Sequence, residues 1–179
     1  MKRAIKNKIN RFIKKPSLIA GLALLLVFFY EYYGKDMGAK EIGGRAVRVI
    51  DGDTISLNGT KIRLKGIDAP ESKQECKYQE ADKVRKYKCG IESAEYLSHL
   101  IDGKTVECTD EGKDLYGRTL SYCYVGTTNI NRQMVRDGWA IGYDDFAVEE
   151  WWAKQNKAGL WKGEFQKPAE WRKSRKKRK

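Results

Sequence analysis

The stretch RAVRVIDGDTISLNGTKIRLKGIDAPE, residues 45–71, decides the fold. Arg45–Ile50 alternates with valines and opens a strand. Thr54–Leu57 and Lys61–Leu64 alternate apolar with polar residues on either side of Asn58-Gly59, the dipeptide that a tight hairpin turn favours. In the second of these strands Ile62 and Leu64 face one way, so Arg63 faces the other, away from the core. Asp51-Gly52-Asp53 makes the bend before the hairpin, and Ile67-Asp68-Ala69-Pro70-Glu71 follows it.

Downstream, Ile91–Ile101 carries apolar residues at helical spacing through Ala94, Leu97, Leu100 and Ile101. Lys104–Thr109 and Thr119–Val125 read as a strand pair around an Asp110–Arg118 loop. Asn129–Asp137 reads as a short helix closed by Gly138, Trp139–Tyr143 as a short strand, and Asp145–Lys157 as a helix ending at Gly159, after which Leu160-Trp161 packs back. Ser72–Gly90 is a charged insertion. Three strands, a helix, two strands and terminal helices predict a mainly β, α+β domain, with a small Greek-key barrel of OB type as the natural architecture.

The 179 residues suffice for one ordinary domain with extensions, and 41% hydrophobic content can fill a core. A net charge of +12 suggests a nucleic-acid surface until it is located. Seven Lys/Arg sit in residues 1–15 and seven more in 172–179; without them the body holds 22 basic residues against 24 acidic ones. Nucleic-acid affinity in the body must therefore come from local placement.

Residues 1–15 form a basic N-terminus expected on the cytoplasmic side, and 16–33 an apolar membrane anchor or signal segment. Pro16 to Tyr33 gives about 27 Å of helix, against a hydrocarbon core of ~30 Å. The cluster Phe28, Phe29, Tyr30, Tyr32 and Tyr33 suits a membrane interface, and no small-x-small cleavage site follows, which favours the anchor. Residues 34–44 read as a linker, 45–165 as the exported domain and 166–179 as a basic tail, expected first as solvated, next as holding nucleic acid, and otherwise as binding anionic lipid. The domain is expected to be extracytoplasmic, or secreted if the leader is cleaved, and monomeric. Four cysteines after the apolar segment agree with export. Three pairings are possible; Cys76–Cys89 and Cys108–Cys123 are expected because each closes a short loop.

The chemistry sits in three blocks. Asp53 and Asp68 are hard oxygen ligands that suit Ca²⁺ or Mg²⁺. Glu71, beyond the rigid Pro70, is placed to activate or orient water. Arg63 and Arg118 offer forked donors to phosphate oxygens that gain charge in a transition state. Tyr116 and Tyr143 can stack on a base or sugar. Each block alone reads more readily as a turn, strand exit or hairpin corner than as chemistry; their joint presence, in this order, reverses that and suits attack of water on a phosphodiester. His99 stands alone, which excludes nucleases that work with paired histidines, and Trp151, Trp152 and Trp161 are expected as core or interface anchors.

From Arg45 to Trp161 the chain resembles the thermonuclease family, of staphylococcal-nuclease type. The resemblance rests on Asp51-Gly52-Asp53-Thr54, Arg63 through Glu71, Tyr116-Gly117-Arg118, Val135–Ala140 and Ala158–Trp161. It implies a five-stranded OB-type barrel with about three covering helices, and Ca²⁺-dependent hydrolysis of DNA and RNA, preferentially single-stranded, leaving 3′-phosphate ends. It further implies Asp53, Asp68 and the carbonyl of Ala69 as metal ligands, Arg63, Glu71 and Arg118 as catalytic residues, and Asp114, Tyr116 and Tyr143 near the bound nucleotide. The four cysteines, and the stretch from Gly159 to Trp171-Arg172, look like an exported bacterial subgroup. Ala69 stands where threonine is common, Leu115 replaces a frequent lysine, and the segment after Glu71 is rebuilt around Cys76 and Cys89. The alternative is a non-catalytic, membrane-anchored nucleic-acid-binding module on the same barrel, which a missing acid or arginine would mark; none is missing.

Overall fold

Asn58 and Gly59 both take positive φ, 50° and 82°, the pair of left-handed positions that closes a two-residue hairpin between twisted strands. That turn fixes the register of β3 (Thr54–Leu57) on β4 (Thr60–Leu64): Ile55 faces Ile62, and Thr54 faces Arg63. Ile55, Leu57, Ile62 and Leu64 are fully buried, each worth roughly 1.5–3 kcal/mol relative to exposure. The opposite face of the same ladder is left to Arg63. β2 (Val47–Asp51) pairs antiparallel with β3, and its register shifts between Val49 and Asp51. This irregularity bends the strand end and turns the Gly52-Asp53 corner inward.

The computed structural model describes residues 21–27, 41–45 and 47–177. The basic N-terminus 1–15, most of the 16–33 segment and residues 34–40 therefore lie outside the described residues. Within the apolar segment, residues 21–27 are helical; among the described residues no helix is long and apolar enough to cross a membrane. Lys40–Lys179 forms one unit. Its strands pair as two four-stranded sheets, one of β1 (Glu41–Gly44), β8 (Val106–Thr109), β10 (Cys123–Val125) and β11 (Thr128–Asn129) in that order, the other of β2, β3, β4 and β9 (Thr119–Ser121), with two-stranded sheets of β5 (Ile67–Asp68) on β12 (Ile141–Gly142) and β6 (Cys76–Glu80) on β7 (Lys83–Tyr87).

Several expectations are corrected. Glu41–Gly44, read as the end of a linker, is strand β1, paired with β8 (Val106–Thr109). The charged insertion is a hairpin, β6 (Cys76–Glu80) on β7 (Lys83–Tyr87); its strands are mostly exposed, so no apolar alternation announces them. The single strand expected over Thr119–Val125 is two: β9 (Thr119–Ser121) runs parallel to β4, while β10 (Cys123–Val125) pairs antiparallel with β8. The chain changes sheets at Tyr122, where Lys65 N–H donates to Ser121 O and Thr109 N–H to Tyr122 O. The pairing is thus two sheets sharing one crossing segment, rather than the closed five-stranded barrel expected.

The remaining elements are β5 (Ile67–Asp68), α1 (Cys89–Ile101), β11 (Thr128–Asn129), α2 (Ile130–Arg136), β12 (Ile141–Gly142), α3 (Ala147–Gln155) and a 3₁₀ turn (Gly159–Lys162). A fourth helix, α4 (Pro168–Lys176), stands where a solvated tail was expected; Pro168 at its first turn has a fixed φ suited to helix initiation. Leu97 and Ile101 of α1 and Met134 and Val135 of α2 join the strand residues in the main core. Trp161 packs edge-on against Phe165, 4.9 Å between ring centroids. Trp151 and Trp152, expected as anchors, are exposed on α3. His99 is exposed on α1.

Both sequential disulfides are present, Cys76–Cys89 and Cys108–Cys123. Cys108 and Cys123 are directly opposed across β8 and β10 and are buried. Replacing both by alanine is expected to cost about 3 kcal/mol, the loop-closure value for a separation of this size. Urea unfolding under non-reducing conditions measures it; an unchanged midpoint would mean that the sheet alone holds this register.

Candidate active site

Asp53 is carried by the bend between β2 and β3, and close packing of α1 fixes that bend. A Cβ on Gly52 would lie 2.0 Å from Ser93 Oγ and 2.8 Å from Ala69 Cβ, so only glycine lets the corner meet both the helix and the end of β5. Asp68 ends β5, which is held by β12 with Ile141 opposite Asp68. Both aspartates are buried, each 3% exposed.

Arg63 joins them. Its Nη1 donates to Asp53 Oδ1 at 2.6 Å and its Nη2 to Asp68 Oδ1 at 3.1 Å. Burial pulls the guanidinium pKa down, but the charges of Asp53 and Asp68 outweigh it and the net shift is upward. Asp53 also accepts from the Thr54 hydroxyl at 2.8 Å and from Ala69 N–H at 3.1 Å. Asp51 stands behind, accepting Asp53 N–H at 3.0 Å; burial first, and the Asp53 charge second, push its carboxyl up to about 7.

The parallel pairing of β9 with β4 delivers Arg118. Thr119 is opposite Ile62, so the residue before it reaches the hairpin, and Arg118 Nη1 lies 3.4 Å from Thr54 Oγ1. Asp114 shapes the loop, accepting Tyr116 N–H and Arg118 N–H at 2.9 Å and Arg118 Nε at 2.7 Å. Burial raises the Asp114 pKa, but these donors outweigh it and hold the carboxyl below its ordinary value. The ordering it gives the loop is therefore present above the usual aspartate range and lost as pH falls through that lowered value. The Arg118 guanidinium lies 5.7 Å from the Tyr116 ring centroid, and Tyr116 is exposed. Tyr143 is also exposed and is tied to the site by backbone only, its N–H donating to Gly66 O at 2.8 Å. Asp53, Asp68, Ala69, Arg63, Arg118 and Asp114 thus form one connected group, while Tyr116 and Tyr143 stand at its margin.

Glu71 follows on a turn that the insertion secures. Its carbonyl accepts Gln74 N–H at 2.7 Å, and a Cβ on Gly90 would lie 1.8 Å from that same oxygen. Gln74 is buried and donates from Nε2 to Gln166 O at 2.6 Å. The disulfide-bonded segment therefore fixes the Glu71 backbone, while about a third of the side chain remains exposed. Its Oε1 accepts from Arg172 Nη1 at 3.0 Å.

Three contributors were not read as site residues from sequence: Thr54, Asp51 and Arg172. Thr54 and Asp51 flank Asp53 in a block already singled out. Arg172 had only a weak signal, its place in the Trp171-Arg172 stretch, because its role depends on a contact across 104 residues of chain.

The donors that converge here are hard oxygens: the Asp53 and Asp68 carboxylates with the backbone that continues into Ala69. Among the described residues there is no group of three or more His, Cys, Asp or Glu that could hold a metal. An ion here would complete its shell with backbone carbonyl, water or phosphate oxygen, which suits a hard divalent cation such as Ca²⁺ or Mg²⁺.

Known proteins resemble this chain along most of its length. The chain is 35% identical over 137 residues to a succinoglycan biosynthesis protein of Rhizobium meliloti, covering 72% of this chain and 70% of that protein. It is 38% identical over 132 residues to an uncharacterized endonuclease of Escherichia coli O157:H7, covering 68% and 78%. To a micrococcal nuclease of Shigella flexneri it is 32% identical over 155 residues, covering 74% and 82%. The family model described as staphylococcal nuclease homologue matches residues 61–163, more than half of the chain, with Asp53 before the match and Arg172 beyond it. On these matches, and on the arrangement of acids and arginines just described, the chain belongs to the staphylococcal nuclease homologue family.

Proposed function

We propose that this protein is a Ca²⁺-dependent nuclease that hydrolyses DNA and RNA, with a preference for single strands, and leaves 3′-phosphate ends. The observation that carries the reading is the double contact of Arg63 on Asp53 and Asp68, with Glu71 next along the chain and Arg118 one threonine away. Family membership and the nuclease names among the relatives support it. The domain is proposed to work outside the cytoplasm, carried there by the N-terminal apolar segment, in keeping with its two disulfides.

Asp53, Asp68 and the Ala69 carbonyl would hold the cation, which when bound neutralises a phosphate oxygen and helps to bind water. Glu71 takes a proton from the attacking water as its oxygen forms a bond to phosphorus. The bond from phosphorus to the 5′ oxygen breaks, that oxygen is protonated from solvent, and the phosphate stays on the 3′ side. Arg63 and Arg118 donate to the equatorial oxygens as their charge grows. Leu115, fully exposed beside Tyr116, adds no cation to the margin, so phosphate binding there rests on Arg118.

Cleavage of a labelled single-stranded DNA by the full-length chain tests this reading. Cutting in CaCl₂, abolished by chelator and leaving ends that only a 3′-phosphatase makes extendable, is the expected result. Nucleic-acid binding without cutting in Ca²⁺, Mg²⁺ and Mn²⁺ would instead make this a binding module.

A further inference from the structure

The second cation on Asp68 comes from the far end of the chain. Arg172 Nη1 donates to Asp68 Oδ1 at 2.9 Å and Nη2 to Asp68 Oδ2 at 3.1 Å, a forked pair, and Nη1 reaches Glu71 Oε1 at 3.0 Å. The Asp68 carboxylate is only 4% exposed, so both of its oxygens are capped by guanidinium N–H from Arg63 and Arg172. Burial lowers the Arg172 pKa, but the hydrogen bonds and charges of Asp68 and Glu71 outweigh it, and it remains a cation throughout.

This contact is built in. Glu164 and Lys77 exchange backbone hydrogen bonds at 2.9 and 2.7 Å, and Gln74 grips the Gln166 carbonyl. Pro168 is buried at the start of α4. The segment that carries Arg172 is thus anchored to the same disulfide-bonded insertion that fixes Glu71. Charge counting points the same way. Asp53, Asp68 and Glu71 bring three carboxylates, which Arg63 alone leaves short of neutral; Arg172 supplies a further positive charge directly on Asp68 and Glu71.

We propose that Arg172 is a third arginine of the active site, a positioning residue that holds Asp68 and Glu71 and competes with the divalent cation for Asp68. The inference rests on the metal-site reading above. A cation drawn to Asp68 meets the positive charge of Arg172 and competes for oxygens that its fork already engages, so the wild-type site binds metal more weakly than its two aspartates allow, and α4 loosens when metal arrives. Competition of this kind couples metal occupancy to loosening of the C-terminal helix.

The test is calorimetric titration of CaCl₂ alone, without nucleic acid, into the full-length chain, into Arg172→Gln and Arg172→Lys, and into Asp53→Asn. Arg172→Gln is expected to lower the Ca²⁺ dissociation constant by about tenfold, equivalent to about 1.4 kcal/mol. Arg172→Lys, which keeps the charge without the fork, should fall between. As glutamine could unseat α4 altogether, amide hydrogen exchange on the wild type supplies a second reading: residues 168–176 should exchange faster when CaCl₂ is added. Unchanged or weaker Ca²⁺ binding by Arg172→Gln, or unchanged or slower exchange in α4, overturns the competition while leaving a metal-binding wild type intact. If wild type and Asp53→Asn both bind no Ca²⁺, the metal-site reading falls and this inference with it.

Discussion

Glu71→Gln should lower turnover on single-stranded DNA by about a thousandfold, within the range a positioned general base contributes, with Ca²⁺ binding retained. The amide keeps the size of the side chain but cannot take a proton from water. Its backbone is fixed independently by Gln74 and by the close approach of Gly90, so the change should not propagate into the fold. Because Glu71 shares Arg172 with Asp68, the variant also loosens that arginine, and Ca²⁺ binding is therefore expected to hold or tighten. The measurements are kcat and KM at saturating Ca²⁺, with calorimetry on the same preparation. A loss of less than tenfold in kcat would remove Glu71 from the proton transfer, and a loss confined to KM would make it a binding group.

Arg63→Ala should be the most damaging single change to stability, and it should lower activity as well. It strips the 2.6 and 3.1 Å partners from two carboxylates whose side chains are each 4% exposed. Breaking a buried ion pair by removing one partner costs about 3–5 kcal/mol; the retained contact of Arg172 on Asp68 places the expected loss near the lower figure. Added Ca²⁺ should recover part of it, since a ligand that binds only the folded state stabilises by mass action and here restores a counter-charge to Asp53. Activity should fall by about a hundredfold to a thousandfold, the scale for losing one oxyanion donor. Arg63→Lys should recover stability better than rate, because an ammonium cannot reproduce the fork. Thermal unfolding with and without CaCl₂ decides the matter: an Arg63→Ala protein as stable as wild type in chelator would show that the aspartates do not need this cation.

The part of the site legible in the sequence is the part made by neighbours. The Asn58-Gly59 turn and the alternation of Ile55, Leu57, Ile62 and Leu64 set the hairpin register, and the register put Arg63 opposite Thr54 and beside Asp53. These are interactions over a few residues, carried by turn chemistry and a period of two, and they survive reading in one dimension. The same holds for the Asp114–Arg118 loop, where the hydrogen bonds to the Asp114 carboxylate span at most four residues.

Other features had no one-dimensional signal. The β6–β7 hairpin is mostly exposed and charged, and is held by backbone pairing, by Cys76–Cys89 and by Lys162 lying 4.2 Å from the Tyr87 ring centroid; with little apolar surface to bury it shows no alternation. The crossing at Tyr122 splits one apolar run between two sheets, because β9 and β10 pair with strands far apart in the chain.

The sequence by itself set the hairpin, supplied the acids and arginines Asp53, Asp68, Glu71, Arg63 and Arg118 as candidates, and favoured the sequential pairing of the cysteines, since local geometry and residue chemistry speak to each. Only the tertiary structure decided that β9 lies parallel to β4, which brings Arg118 to Thr54, and that a basic tail folds as α4 and sets Arg172 on Asp68. Both depend on contacts between segments more than fifty residues apart, where packing and charge complementarity, rather than any local preference, select the partner.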